Sequence, residues 1–277
     1  MLVAEFGPSL QFRQIMEAMK DVVMFTQMKL EEKGIQFSSI GGSSRSLVHV
    51  FIPASICTSY HWTGPPSLCS LNLYDLVDMM KDSRKKYQNI IGLIQNRATS
   101  QFTLKFYSEV THQQTLPNQT ISYTPLTLSK CVLSTLPEKK YDNICVLPSN
   151  ELKRICIIMA ILGHSVIHIG LQNNILKLCV LDRRSKGTET IERSQKDKNC
   201  DLVIIEHKDT ISQYFHLRFL NFFTRASTLS DTTTWGFSKN YCFIEYKLSD
   251  QGAITYFLKP TDADISVPLK AVPMDVG

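Results

Sequence analysis

Glycine is scarce in this chain, 12 residues in 277, and none of them builds a Gly-x-Gly-x-x-Gly or Walker-type loop. Such loops need glycine for the tight turn and for close backbone approach to phosphate, so a nucleotide-cradling enzyme is not expected. Long apolar runs are missing too: no stretch approaches the roughly 18 to 20 residues that cross a bilayer. The opening MLVAEFGPSL lacks the basic and apolar regions of a secretory signal. Both absences lead to the expectation of an intracellular, soluble protein with no membrane partner. Cys-x-x-Cys spacing is also absent. The eight cysteines (Cys57, Cys69, Cys131, Cys145, Cys156, Cys179, Cys200 and Cys242) are dispersed, mostly in apolar runs such as RICIIMA and LKLCVL. There a thiol behaves as a small hydrophobe, so buried free cysteines are expected rather than a disulfide framework.

Catalytic constellations are equally thin. His164 and His168 lie four apart, but SVIHIGL alternates as a strand, which sends two residues four apart to one face across a wide gap, with no third ligand nearby. Asp75 and Asp78 stand at helical spacing near an exposed helix end, where carboxylates serve solubility. No metal, no cofactor and no catalysis are expected.

What is present is ordinary core-forming material. With 43% hydrophobic and 20% charged residues, the chain can bury one large core or two smaller ones. A net charge of +5 and a pI near 8.7 permit an anionic partner without demanding one. The order of elements is more telling. SLQFRQIMEAMKDVV places Leu10, Phe12, Ile15, Met16, Met19 and Val23 at helical spacing, with Ser9 as a candidate cap and Arg13, Glu17 and Lys20 on other faces. Strand-like runs follow around Gly34 and in SLVHVFIP, then a second helix, LYDLVDMMK. From Ser149 the order returns: SNELKRICIIMAILG carries a stripe of Leu152, Ile155, Cys156 and Met159, two strands turn at Asn173-Asn174, and SQYFHLRFLNFFTRA reads as a second helix. Helix starts at Ser9 and Ser149, and near Asn72 and Ser212, are each offset by about 140 residues. The repeat predicts an α+β fold of two similar domains, each with two helices packed on antiparallel sheets. Between them, residues 111–137 hold three prolines and no acidic residue, a composition suited to a surface linker. The expected division is 1–115, a linker at 116–140, 141–262, and a tail at 263–277.

The stretch from Leu217 to Pro260 carries the most specific signal: a helix of bulky aromatics and arginines, a turn, two alternating strands, and a tyrosine-rich strand stopping at a proline. That order resembles the closing segment of the proliferating cell nuclear antigen (PCNA) family of DNA sliding clamps. MEAMKDVV, GIQFSSIGGSSRSLVHV, the Pro137, Glu138 and Tyr141 pattern, and LPSNELKRIC with Pro148, Ser149, Arg154, Ile155 and Cys156 are similar to the family as well.

The resemblance implies a nuclear homotrimeric ring around duplex DNA, without base readout. A clamp loader places such a ring, which then tethers polymerases and repair proteins through short peptide motifs. It implies a DNA-facing set of Arg13, Lys20, Lys81, Arg154 and Arg225. Gln14, Asp78, Ile157 and Ile161 stand where the family carries further basic residues, which thins the expected attraction for phosphate. The implied partner-peptide groove comprises Ile40, Leu47, Leu136, Tyr241, Phe257 and Pro260, with Arg45 and Lys259 replacing small or apolar residues and so favouring motifs with added acidic groups. Subunits would join through edge strands, Gln101 to Val110 (Phe102, Leu104, Phe106) with Thr188 to Ser194 (Thr188, Ile191). Gln172 stands where the family modifies a lysine. Two readings compete with the homotrimer: a checkpoint-type subunit of a heterotrimeric clamp, and a divergent viral processivity factor, at an intracellular replication site, that closes no ring.

Overall fold

The computed structural model of the chain describes residues 2–6, 9–41, 44–82, 90–96, 101–107, 119–123, 136–137, 141, 143–162, 165–181, 188–194, 203–207 and 210–262. His164, most of the 111–137 segment, Glu138, the basic runs at 84–86 and 183–186, and the tail at 263–277 lie outside the described residues, as do the side chains of Lys81, Phe102, Phe106 and Thr188.

The first half runs β1 (Leu2–Phe6), α1 (Ser9–Lys20), β2 (Phe25–Glu31), β3 (Gly34–Ile40), β4 (Ser46–Pro53), β5 (Ser59–Trp62), β6 (Ser67–Asn72), α2 (Leu73–Asp82), β7 (Ile90–Asn96), β8 (Gln101–Tyr107) and β9 (Gln119–Tyr123). The second runs β10 (Asn143–Pro148), α3 (Ser149–Leu162), β11 (Val166–Gln172), β12 (Ile175–Leu181), β13 (Thr188–Ser194), β14 (Val203–His207), β15 (Ile211–His216), α4 (Leu217–Phe223), β16 (Thr232–Phe237), β17 (Cys242–Lys247) and β18 (Ala253–Leu258). Antiparallel ladders join β1 to β5 and β7, β2 to β3 and β6, β3 to β4, β7 to β8, and β8 to β9. The second half repeats these with strand numbers raised by nine: β10 joins β14 and β16, β11 joins β12 and β15, β12 joins β13, and β16, β17 and β18 follow as neighbours. The repeat seen in the helices thus extends to the ladders within each half, the pairing of β18 with β4 standing outside it.

Two compact units result. The first comprises Met1–Glu138 with Thr228–Ser230 and Glu245–Tyr256; the second comprises Lys139–Ser227, Asp231–Ile244 and Phe257–Gly277. The first holds the strand orders β5-β1-β7-β8-β9 and β4-β3-β2-β6, the second β13-β12-β11-β15 and β14-β10-β16; β17 and β18 divide, with Glu245–Lys247 and Ala253–Tyr256 in the first unit and the rest in the second.

Helix packing follows the apolar stripes. In α1, Phe12, Ile15, Met16 and Met19 are buried, and Phe12 stacks on Phe6 of β1 with ring centroids 4.4 Å apart. In α2, Leu73, Leu76, Val77 and Met80 are buried, and the Tyr74 backbone N–H donates to Asn72 Oδ1 at 3.0 Å, a side-chain cap. In α3, Leu152, Ile155, Cys156 and Met159 are buried. In strand β18, Tyr256 is tied into the first unit by its hydroxyl, which donates to the Ala18 carbonyl at 3.2 Å. Asn173 and Asn174 have φ of 51° and 61°, the left-handed pair that a type I′ hairpin needs. Gly34 has φ 147°, and a Cβ there would press on the Ile52 carbonyl oxygen and on Pro53 Cα at 2.8 Å.

Three expectations are corrected. The helix expected from Ser212 begins at Leu217, because Ile211–His216 pairs with β11 as a strand before the chain turns helical. Ser149 does not cap α3: it is already helical, directly after β10, so its buried hydroxyl makes no hydrogen bond among the described residues. Of the strand expected from Gln101 to Val110, Gln101–Tyr107 is described as a strand and residues 108–110 lie outside the described residues. That strand is not a sheet edge. It is flanked by β7 and by β9, so among the described residues the outer strand is β9, inside the segment expected to be a linker.

Candidate nucleic-acid and partner interface

The helices set which charged side chains reach solvent. Arg13 on α1 is only 16% exposed, and its Nε and Nη2 both donate to Glu17 Oε1, at 3.0 and 2.8 Å, one turn along. Lys20, at the end of α1, places its Nζ 5.8 Å from the ring centroid of Tyr74. Tyr74 itself opens α2 and is 46% exposed, with Asp75 and Asp78 exposed beside it. This face of α2 is acidic as far as it is described, since Lys81 contributes only its backbone position. In the second unit, Arg154, Ile157 and Ile161 fall on one exposed stripe of α3, the isoleucines 48% and 74% exposed. Arg225 is exposed in the 3₁₀ turn (Thr224–Thr228) that continues α4. Arg218, in the first turn of α4, is exposed with its guanidinium 4.7 Å from the Phe219 centroid.

Arg154 belongs to a three-residue network. Its Nε donates to Glu151 Oε2 at 2.8 Å and its Nη2 to Glu151 Oε1 at 2.7 Å, a bidentate pair. Arg193, on β13, donates from Nε and Nη2 to the same Glu151 Oε1, at 2.7 and 2.6 Å. The Arg154 hydrogen bond, the largest effect, holds the Glu151 carboxyl below its usual range; burial opposes it, and the Arg193 hydrogen bond and the charges of both arginines add to the lowering.

The residues expected to form a partner groove divide between the units. In the first, Ile40 is 42% exposed and pairs across the β3–β4 ladder with Leu47, which is buried at 8%. The intervening turn is closed by Gly41 N–H to Ser46 O at 2.7 Å and Ser44 N–H to Gly41 O at 2.8 Å, with exposed Arg45 at its tip and Leu136 half-buried. In the second, Tyr241 and Pro260 are half-buried, Phe257 is buried, and the Lys259 ammonium sits 5.7 Å from the Tyr241 centroid. Behind Tyr241 lies an aromatic ladder, Tyr141 to Phe243 at 4.5 Å and Phe243 to Phe257 at 6.5 Å. Leu47 and Phe257 are therefore core residues in their units, while Ile40, Arg45, Tyr241, Lys259 and Pro260 reach the surface. A separate cavity of about 520 Å³ in the first unit, lined by Glu31, Glu32, Lys33, Trp62, Gly64 and Pro66, includes none of them.

Of the residues expected at subunit edges, Leu104 is buried within the two-sided strand β8, and Ile191 is half-buried on β13, the outer strand of its sheet. His168 donates to or accepts from Ser212 Oγ at 2.9 Å and packs on Tyr214; burial lowers its pKa. Among the described residues no group of three or more His, Cys, Asp or Glu side chains is placed to hold a metal ion, and no helix is long and apolar enough to cross a membrane. Sequence reasoning missed Glu151, Arg193 and β9. The network joins residues 42 apart, and nothing in TETIERS distinguishes Arg193 from an ordinary solvated charge.

A doubled unit of two helices on antiparallel sheets, with the same ladder pattern in each copy, defines the sliding-clamp class of fold. The family model for the proliferating cell nuclear antigen N-terminal domain matches residues 1–122, and that for its C-terminal domain matches 135–261. The chain belongs to the proliferating cell nuclear antigen family, the sliding clamps of DNA replication, which are non-enzymatic scaffolds.

Proposed function

We propose that this chain is a subunit of a homotrimeric ring that encircles duplex DNA, is placed there by a clamp loader, and tethers DNA polymerase and repair proteins in the nucleus. The observation that carries the assembly is the symmetry of the ladders. Strand β18, the last of the second repeat, lies beside β4, the fourth of the first. The equivalent strands, β9 and β13, are both outermost in their sheets. A β9 to β13 pairing between neighbouring copies reproduces the β18 to β4 pairing and covers two exposed edges at once. The edge role first given to Phe102, Leu104 and Phe106 passes to β9; Thr188 and Ile191 keep theirs on β13. Covering the edges with copies of itself gives a closed ring by sedimentation or light scattering, with a mass three times 31.5 kDa; a monomer at every concentration overturns this reading.

In this ring the DNA-facing charges are Lys20, Lys81, Arg154 and Arg225, with Arg13 contributing less because Glu17 occupies it. Their attraction is to phosphate and independent of base sequence. Partner peptides dock an apolar anchor, for which Ile40, Leu47, Leu136, Tyr241, Phe257 and Pro260 are the candidates by family resemblance, with Arg45 and Lys259 selecting acidic groups. One observation favours a second reading. Ile157 and Ile161 are exposed on the helix that carries Arg154, which suits a subunit of a mixed, checkpoint-type ring whose partners supply the missing positive charge. Recovery of a heterotrimer in place of a homotrimer would select it.

A further inference from the structure

We infer that Arg193, on the outer strand β13, determines DNA affinity from a distance by acting as the reserve counter-charge of Glu151, which lets Arg154 leave that carboxylate for a phosphate. The inference rests on the reading that α3 faces DNA. Arg154 is the more exposed arm of the network, its side chain 52% accessible, whereas Arg193 and Glu151 are each 18% accessible. The buried arm is the one that persists when the exposed arm moves, because an interior pair is less weakened by water and salt. Arg154 spends its bidentate face on Glu151, so a phosphate must compete with that carboxylate for it. With Arg193 already donating twice to Oε1, departure of Arg154 leaves Glu151 neutralised. Without Arg193, the same departure would strand a carboxylate beside the incoming phosphate, and like charges at that range repel. Arg193 touches no DNA in this scheme; it is a positioning residue.

The test measures duplex DNA affinity of the full-length chain by fluorescence anisotropy at fixed low salt, for wild type, Arg193→Gln, Arg193→Lys, Glu151→Gln and the double variant. Arg193→Gln is expected to weaken binding by about threefold to tenfold, the range of a coupled ion pair. Glu151→Gln is expected to strengthen it by a similar factor, and Arg193→Gln to add no loss in the Glu151→Gln background. Arg193→Lys keeps the charge and restores affinity to within about twofold of wild type, which a merely structural role for the guanidinium would not produce. If Arg193→Gln binds as wild type does, or if it costs the same factor with Glu151 already replaced, the inference is overturned; the latter outcome would mean that Arg193 contacts phosphate itself. A wild-type chain that binds no duplex fails the clamp reading and takes this inference with it, whereas wild-type binding with unchanged variants fails the inference alone.

Discussion

Glu151 shows how one carboxylate can be read in stability and in function. Its pKa is lowered in the folded chain from an ordinary value near 4.5, with the Arg154 hydrogen bond first among the causes. On acidification the unfolded chain therefore binds the proton first. The stability Glu151 contributes is complete above the unfolded value and is lost as pH falls through the lowered folded one. Urea midpoints of wild type and Glu151→Gln should differ at pH 7 and converge in acid; a difference that persists unchanged at low pH would contradict the pairing. Ser149 gives the opposite case. A working N-cap would cost about 1 kcal/mol on removal, but this hydroxyl is buried without a partner among the described residues, so Ser149→Ala should leave Tm unchanged or raised. A fall of several degrees would mean that Ser149 caps α3 after all. The thiols of Cys57, Cys69, Cys145, Cys156 and Cys242 are pushed up to about 12 by burial. Mapped alkylation at neutral pH should find them unmodified in the native chain and modified in denaturant.

The helices and hairpins show which patterns reach the surface of a sequence and which do not. The stripes of α1 and α3, and the Asn173-Asn174 turn, were legible because local periodicity and turn chemistry dictate them. The start of α4 was not: ISQYFH runs into LRFLNFF without a glycine or proline, so only the ladder with β11 separates strand from helix. β9 was illegible for a similar reason, since QTISY is a short polar strand in a proline-bearing segment and pairs with β8 only through tertiary contact. Two substitutions probe this level. Gly34→Ala adds a Cβ to a left-handed backbone against Ile52 and Pro53, and should destabilise by roughly 1 to 3 kcal/mol in urea unfolding; a neutral effect would contradict the tight β2–β3 turn. Ile157→Arg restores a charge on the exposed stripe of α3. It should raise duplex affinity several-fold and steepen the log-log salt slope by about 1. No change would mean that this face of α3 is turned away from DNA.

For the molecule as a whole, the two-repeat architecture was readable because each copy obeys the same helix and strand order, and an order recurring after about 140 residues is improbable without a common fold. The interface was only partly readable, because side-chain pairing such as Arg13 with Glu17 or Arg154 with Glu151 decides how much of a formal positive charge is offered to phosphate. The central claim is that closure around DNA, more than contact strength, retains this chain on its template. Its most direct test is retention on duplex DNA after loading onto a nicked circle, before and after the circle is cut to a line. The account predicts that the chain stays on the circle in salt that abolishes direct binding and slides off once the ends are free. Equal loss from circle and line would contradict it.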